Sequence, residues 1–196
     1  MICMVYKVKN YENLFGLNGF SEILLKNHFT LYEGYVNNVN KLFDLQKLLL
    51  NEEKLLTPEY AELKRRFGWE FNGMRLHELY FENLTKEKKL LDKENKLSQQ
   101  IIVDFGSLEN WEKDWRAVGA MRGIGWVILS FDPITKRLFN VWIGEHDVGH
   151  LVGCIPLLVM DVFEHAYITD YGIKRADYLN SFVSAIDWTV VSSRFE

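Results

Sequence analysis

The sequence has almost no cysteine: Cys3 and Cys154 are the two found in 196 residues. That is too few for a disulfide framework or a cysteine-based metal cluster, and it suits a reduced compartment. Proline is nearly as scarce, with three residues, which leaves little room for Pro-rich linkers. No apolar run reaches the roughly 18–20 residues that a membrane span needs. The first ten residues carry Lys7 and Lys9 and lack the apolar stretch of a secretory signal, so the expected location is cytoplasmic, without a membrane partner. A basic excess is missing as well. The formal net charge of −4 offers no footprint for nucleic acid. Internal repeats and low-complexity tracts are absent too.

What is present is an ordinary globular mixture, 48% hydrophobic and 26% charged, long enough for one large or two small domains. Aromatic residues reach 14%, which means either a bulky core or an aromatic-walled pocket. From residue 21 to about residue 56, Leu24, His28, Leu31, Tyr35, Val39 and Leu42 recur at helical spacing behind Ser21 as N-cap. Thr57-Pro58 reads as the cap and first residue of a second helix with Tyr60, Leu63, Phe67, Phe71, Met74, His77, Phe81 and Leu84 on one face, weakened or bent at Gly68 and Gly73. Two long helices with a short connection predict an antiparallel hairpin. A mixed-charge run over residues 86–96 divides the chain, and the expected domains are 1–92 and 93–196.

Past that boundary, Ser107 caps a helix holding Trp111, Trp115 and Val118, which ends in the glycines between residues 119 and 125. Residues 126–131 and 138–143 are β-rich and flank a turn-forming stretch, so they predict an antiparallel hairpin, with a third strand over residues 156–163. A closing helix is expected from about residue 175 to Trp188. The fold class is therefore α+β: an N-terminal α-helical hairpin, then an α/β part with a three-stranded sheet.

The histidines are His28, His77, His146, His150 and His165, each among apolar or aromatic neighbours. His28 and Tyr35, seven residues apart, project from one face of the first helix, and His77 from the apolar face of the second. Taken singly, each is most simply a hydrogen-bonded core histidine. Asp161 and His165 form a D-x-x-x-H pair whose spacing puts both side chains on one side of a helix or a strand, fit either to chelate or to bond each other.

The stretch Asp161-Val162-Phe163-Glu164-His165-Ala166-Tyr167 closely resembles the signature of iron and manganese superoxide dismutases. His28 with Tyr35-Val36-Asn37-Asn38-Val39-Asn40, Phe71-Asn72 before His77 and Tyr80-Phe81, and then Phe105-Gly106-Ser107, Gly123-Ile124-Gly125-Trp126 and Pro156-Leu157-Leu158 match that family in order along nearly the whole chain. The resemblance implies a homodimer in which His28, His77, Asp161 and His165 hold one iron or manganese ion, and ping-pong conversion of superoxide to oxygen and hydrogen peroxide. It implies that Tyr35 passes protons and that His146, ahead of the rival His150, bonds the metal-bound solvent, with Gly73 leaving space for that donor. Trp126, Phe81 and Phe163 would wall the pocket, and Glu164 would bond His165 of a second subunit across a two-fold axis.

The chain also departs from the family. The interval from His28 to Tyr35 is one residue short, as if a helical bulge were absent; the gateway histidine has become Leu31 or Tyr32; and its tyrosine partner is Ile168. A basic residue common just beyond is Gly172, although Arg175 is kept. Two readings compete with the dismutase: a zinc hydrolase, since three His, one Asp and a water also suit zinc, and a binding module that keeps the fold without catalysis.

Overall fold

The computed structural model describes residues 5–87 and 89–195, so Cys3 lies outside it. Helix α1 (Glu22–Asn51) starts where Ser21 Oγ accepts the Leu24 N–H, and α2 (Pro58–Glu82) starts where Thr57 Oγ1 accepts that of Tyr60. Each cap satisfies a backbone donor that has no partner inside the helix. Helix α1 stops at Asn51, five residues short of the expected limit, because Glu53 takes a left-handed φ of 58° and turns the chain. Bonds Tyr32 to Glu78, Asn38 to Glu70 and Gln46 to the Leu63 carbonyl pair the helices in reverse order, so the hairpin is antiparallel. The buried stripe of α1 runs through Leu24, His28, Tyr32, Val36 and Val39; Leu31 is exposed and Tyr35 half-buried. Gly68 and Gly73 do not break α2.

After the charged run comes α3 (Lys96–Phe105), which the periodicity does not announce: ten residues bury only Leu97, Ser98 and Ile101. Ser107 then caps α4 (Leu108–Gly119), which buries Trp111 and Trp115, as expected. Strands β1 (Gly125–Asp132), β2 (Arg137–Gly144) and β3 (Ile155–Asp161) form an antiparallel sheet ordered β2-β1-β3. The β1–β2 turn is closed by Asp132, whose carboxylate accepts Ile134 N–H and Thr135 O–H. Register pairs Trp126 of β1 with Asp161 of β3, which brings an indole beside a carboxylate at the end of the sheet.

Strand β3 ends at Asp161, two residues earlier than expected, and Glu164–Ala166 form a 3-10 turn. Helix α5 (Ile168–Tyr171) follows, then α6 (Arg175–Ser184) and α7 (Trp188–Ser193). The single closing helix expected to reach Trp188 is thus two. Between them the Thr85 N–H bonds the Ala185 carbonyl, and the Asp187 N–H bonds that of Asn83, tying the tail to the end of α2. Asp187 then caps α7. Among the described residues no helix is long and apolar enough to cross a membrane.

Candidate metal centre

Four side chains from both halves of the chain converge: His28 of α1, His77 of α2, Asp161 at the end of β3 and His165 in the 3-10 turn. One ligand atom from each lies within 4.8 Å of the others. The three imidazole Nε2 atoms gather on a single carboxylate oxygen, Asp161 Oδ2, at 3.1 Å from His28, 3.7 Å from His77 and 3.0 Å from His165. Donors bonded at about 2.1 Å to one ion lie about 3.0–3.6 Å apart when their angles at the ion are about 90–120°, so these spacings suit a shared ion.

His77 shows the fit most clearly. Its Nδ1–H donates to the Gly73 carbonyl at 2.6 Å, which leaves the lone pair on Nε2, and Nε2 is buried with no hydrogen-bond partner among the described residues. An orphaned buried polar atom costs about 1–3 kcal/mol; a cation at the centre satisfies this one. His28 Nδ1 is the other fully buried imidazole nitrogen without a hydrogen-bond partner among the described residues. The nitrogen and oxygen donors match a borderline transition-metal ion.

Electrostatics favour neutral rings at His28 and His77 and an ionised Asp161. Burial lowers the pKa of His28 despite its bond to Asp161, and burial with the neighbouring His28 lowers that of His77 further, so both rings favour the neutral form that a metal ligand needs. Burial would raise the pKa of Asp161, but the charge of His165 and the bonds from His165 and His28 outweigh it, and the carboxylate stays ionised far below its usual range. For His165, burial lowers the pKa and Asp161 more than restores it, giving a net rise. The Asp161 Oδ1 accepts the Phe163 N–H at 2.8 Å, and the Asp161 backbone carbonyl accepts the Tyr178 hydroxyl at 2.6 Å, so the residue is held through both its side chain and its main chain.

The remaining aromatics close around the cluster. Phe81 lies 4.9 Å from His28, Trp126 5.0 Å from His77 and Phe163 5.2 Å from His165, between ring centroids. Trp126 and Phe81 are buried, and Phe163 is half-buried. Tyr35 stacks on His77 at 5.1 Å, and its hydroxyl lies 2.7 Å from His146 Nε2. The Trp126 indole N–H, which can only donate, reaches His146 Nδ1 at 3.0 Å. His146 Nδ1 therefore accepts, and its one ring proton sits on Nε2 and goes to the Tyr35 oxygen. Burial lowers the pKa of His146 to about 4, which agrees with a neutral ring. Burial raises that of Tyr35, with Asp161 adding to it, so the phenol keeps its proton. His150 is exposed and donates to the His146 backbone carbonyl, away from the cluster.

Of the family's missing gateway, Tyr32 is buried with its hydroxyl given to Glu78 and Leu31 lies on the surface, while α1 runs as unbroken α-helix past both. Ile168 is exposed, and Arg175 bonds the carbonyls of Met121 and Gly123 ahead of β1. Glu164 is exposed, and the His165 side chain keeps 24% of its surface open. Two residues that sequence reading missed also border the site: Trp69, 4.5 Å from His146, and Glu145, which accepts its indole N–H. Nothing in their spacing signals this.

Gly73 has a second duty, because a Cβ there would meet the Tyr35 ring at 2.6 Å. Gly73→Ala should push Tyr35 off His146, costing about 1–3 kcal/mol of stability and most of the activity while metal stays bound. Calorimetry with metal analysis checks this, and an unchanged turnover would show that the ring position does not matter.

A model of the C-terminal domain of iron/manganese superoxide dismutases matches residues 93–194. The iron superoxide dismutase of Aquifex pyrophilus is 38% identical over 185 residues, covering 92% of this chain and 86% of that protein. The manganese superoxide dismutase 2 of Haloferax volcanii is 34% identical over 89% of this chain and 86% of its own length, and the iron enzyme of Cupriavidus metallidurans is 34% identical over 91% and 90%.

Proposed function

The chain belongs to the iron/manganese superoxide dismutase family, and on that premise we propose that it dismutates superoxide at one redox ion held by His28, His77, Asp161 and His165. The observation that carries this is the convergence of three Nε2 atoms on one buried carboxylate oxygen. When bound, iron or manganese supplies the one-electron chemistry, by which one superoxide is oxidised to oxygen and a second is reduced to hydrogen peroxide. Three neutral imidazoles and one carboxylate cancel a single unit of the ion's charge, so the centre stays positive and attracts an anion.

The protein's own work is to keep the site dry and to deliver protons. Phe81, Trp126 and Phe163 exclude water and sharpen the field at the ligands. Trp126 fixes the tautomer of His146, His146 gives its Nε2–H to Tyr35, and the Tyr35 hydroxyl hydrogen is thereby left free to turn toward reduced substrate. Tyr35 is the proton carrier in this scheme; His146, expected to bond the metal-bound solvent, has both ring nitrogens engaged by Tyr35 and Trp126 and holds the phenol oxygen in place instead. The division of the chain at residues 92 and 93 belongs to the same proposal, as does a cytoplasmic location.

So does a homodimer. Ligand His165 is 24% open, its Nδ1 has no partner among the described residues, and Glu164 beside it is exposed, an arrangement that a two-fold copy completes by placing each Glu164 on the other His165. Glu164→Ala should dissociate the dimer at micromolar concentration and weaken metal retention about 10–100-fold. Analytical ultracentrifugation checks it; a wild-type monomer with full activity would defeat the bridge.

The function itself is tested by loading purified protein separately with iron, manganese and zinc. Superoxide turnover with iron or manganese and none with zinc, which cannot cycle, is the expected outcome. Absence of turnover in all three would favour the binding-module reading.

A further inference from the structure

A cavity of about 240 Å3 opens between α1 and α2, lined by Leu31, Gly34, Tyr35, Arg66, Trp69 and Glu70. Tyr35 connects it to the centre, since the same ring stacks on His77. The side chain that dominates this approach is Trp69. Its ring stands edge-on to His146 at 4.5 Å and tilted to Tyr35 at 5.6 Å. The Arg66 guanidinium lies 3.8 Å from its ring centroid and is itself bonded to the buried carboxylate of Glu70 at 2.7 Å. From the other half of the chain Glu145 accepts the indole N–H at 3.1 Å, from a residue in the left-handed region at φ 52°. An aromatic ring held by a cation–π contact, two rings and a hydrogen bond is a rigid wall.

Charge does not explain this construction. The one guanidinium, Arg66, is paired with Glu70, and a second carboxylate, Glu145, holds the indole, so the mouth offers no net positive charge to draw in an anion. Size does. Of the two residues at the place where the family's gate is expected, Tyr32 is buried with its hydroxyl tied to Glu78, and Leu31 is an apolar side chain at the exposed rim of the cavity. We propose that Trp69 is the specificity-determining residue of the approach, a fixed ring that passes a two- or three-atom anion and turns away larger ones. The proposal rests on the metal centre above, and deepens it by naming what selects the substrate.

The test is optical titration of the iron-loaded protein with azide, a linear three-atom anion, and with benzoate, a bulky carboxylate. Trp69→Ala should bind benzoate at least about tenfold tighter than wild type while azide affinity moves less than about threefold. Trp69→Phe, which keeps a ring against His146, should stay near wild type for both. If Trp69→Ala fails to fold, Glu145→Ala frees the ring without emptying its place and should shift benzoate in the same direction by a smaller factor. Equal benzoate binding in wild type and the ring-deleted or ring-freed protein overturns the filter, as does a parallel gain for both anions, because a general loosening does not discriminate size. Failure of wild type to hold iron and to bind azide would instead overturn the metal centre, so the two claims fail by different signs.

Discussion

Asp161→Asn and His77→Ala should each leave the purified protein with less than about a tenth of wild-type metal and no measurable dismutation, since removing a direct ligand costs more than the 10–100-fold of losing an outer partner. The two variants remove different things. Asparagine keeps the volume and the Oδ1 contact to the Phe163 N–H but takes away the one negative charge on which three imidazoles converge. Alanine at 77 keeps the charge and deletes the Nε2 that has no other partner. The folded chain should survive both, because the core around α1, α2 and β3 is apolar and continuous. Elemental analysis of both variants, with far-ultraviolet circular dichroism as the folding control, checks this. Full occupancy in both would remove these residues from the centre.

Asn83→Ala should cost about 2–4 kcal/mol of stability, a large effect for a polar residue away from the centre. Asn83 is fully buried and joins three elements. Its Nδ2 donates to the carbonyls of Tyr80 and Val159, and its Oδ1 accepts the Val159 N–H and the Arg194 guanidinium. Arg194 also donates to the Leu157 and Leu79 carbonyls and to Glu82, so one amide and one guanidinium clasp α2, β3 and the tail together. Alanine removes the hub and leaves several buried polar groups with fewer partners, including a charged one. Urea denaturation of the metal-free protein measures the cost. A loss below about 1 kcal/mol would mean that water takes over these bonds and the clasp is unimportant.

How far the sequence announces all this depends on the range of the interactions. The caps Ser21, Thr57 and Ser107 and the Asp132 turn are decided within four residues, and the structure holds each where the sequence puts it. Helix α3 escapes notice because its buried side is only Leu97, Ser98 and Ile101 behind a charged run, too little apolar signal over ten residues. The closing helix splits for a reason located a hundred residues away, where Asn83 and Thr85 claim the backbone of Ala185 and Asp187. The α1 stripe is rotated by about one residue from the reading, since Tyr32 and Val36 go inward while Leu31 does not.

The site divides in the same way. Spacing alone pairs Asp161 with His165 and leaves His28 and His77 as separate polar residues in apolar settings; only their match in order to a family brings all four together before the structure does. The hydrogen-bond chain from Trp126 through His146 to Tyr35 depends on which nitrogen of His146 accepts, a fact that no sequence pattern encodes. Trp69 and Glu145 lie 76 positions apart, and of that wall only the Arg66–Glu70 pair at helical spacing is visible in advance.

The most direct test of the whole account is anomalous diffraction from crystals of the protein grown with iron or manganese, recorded at the absorption edge of each metal. The account predicts one peak per subunit, bonded to Nε2 of His28, His77 and His165 and to the carboxylate of Asp161. A peak elsewhere, or none at these four residues in protein that carries the metal, would contradict it.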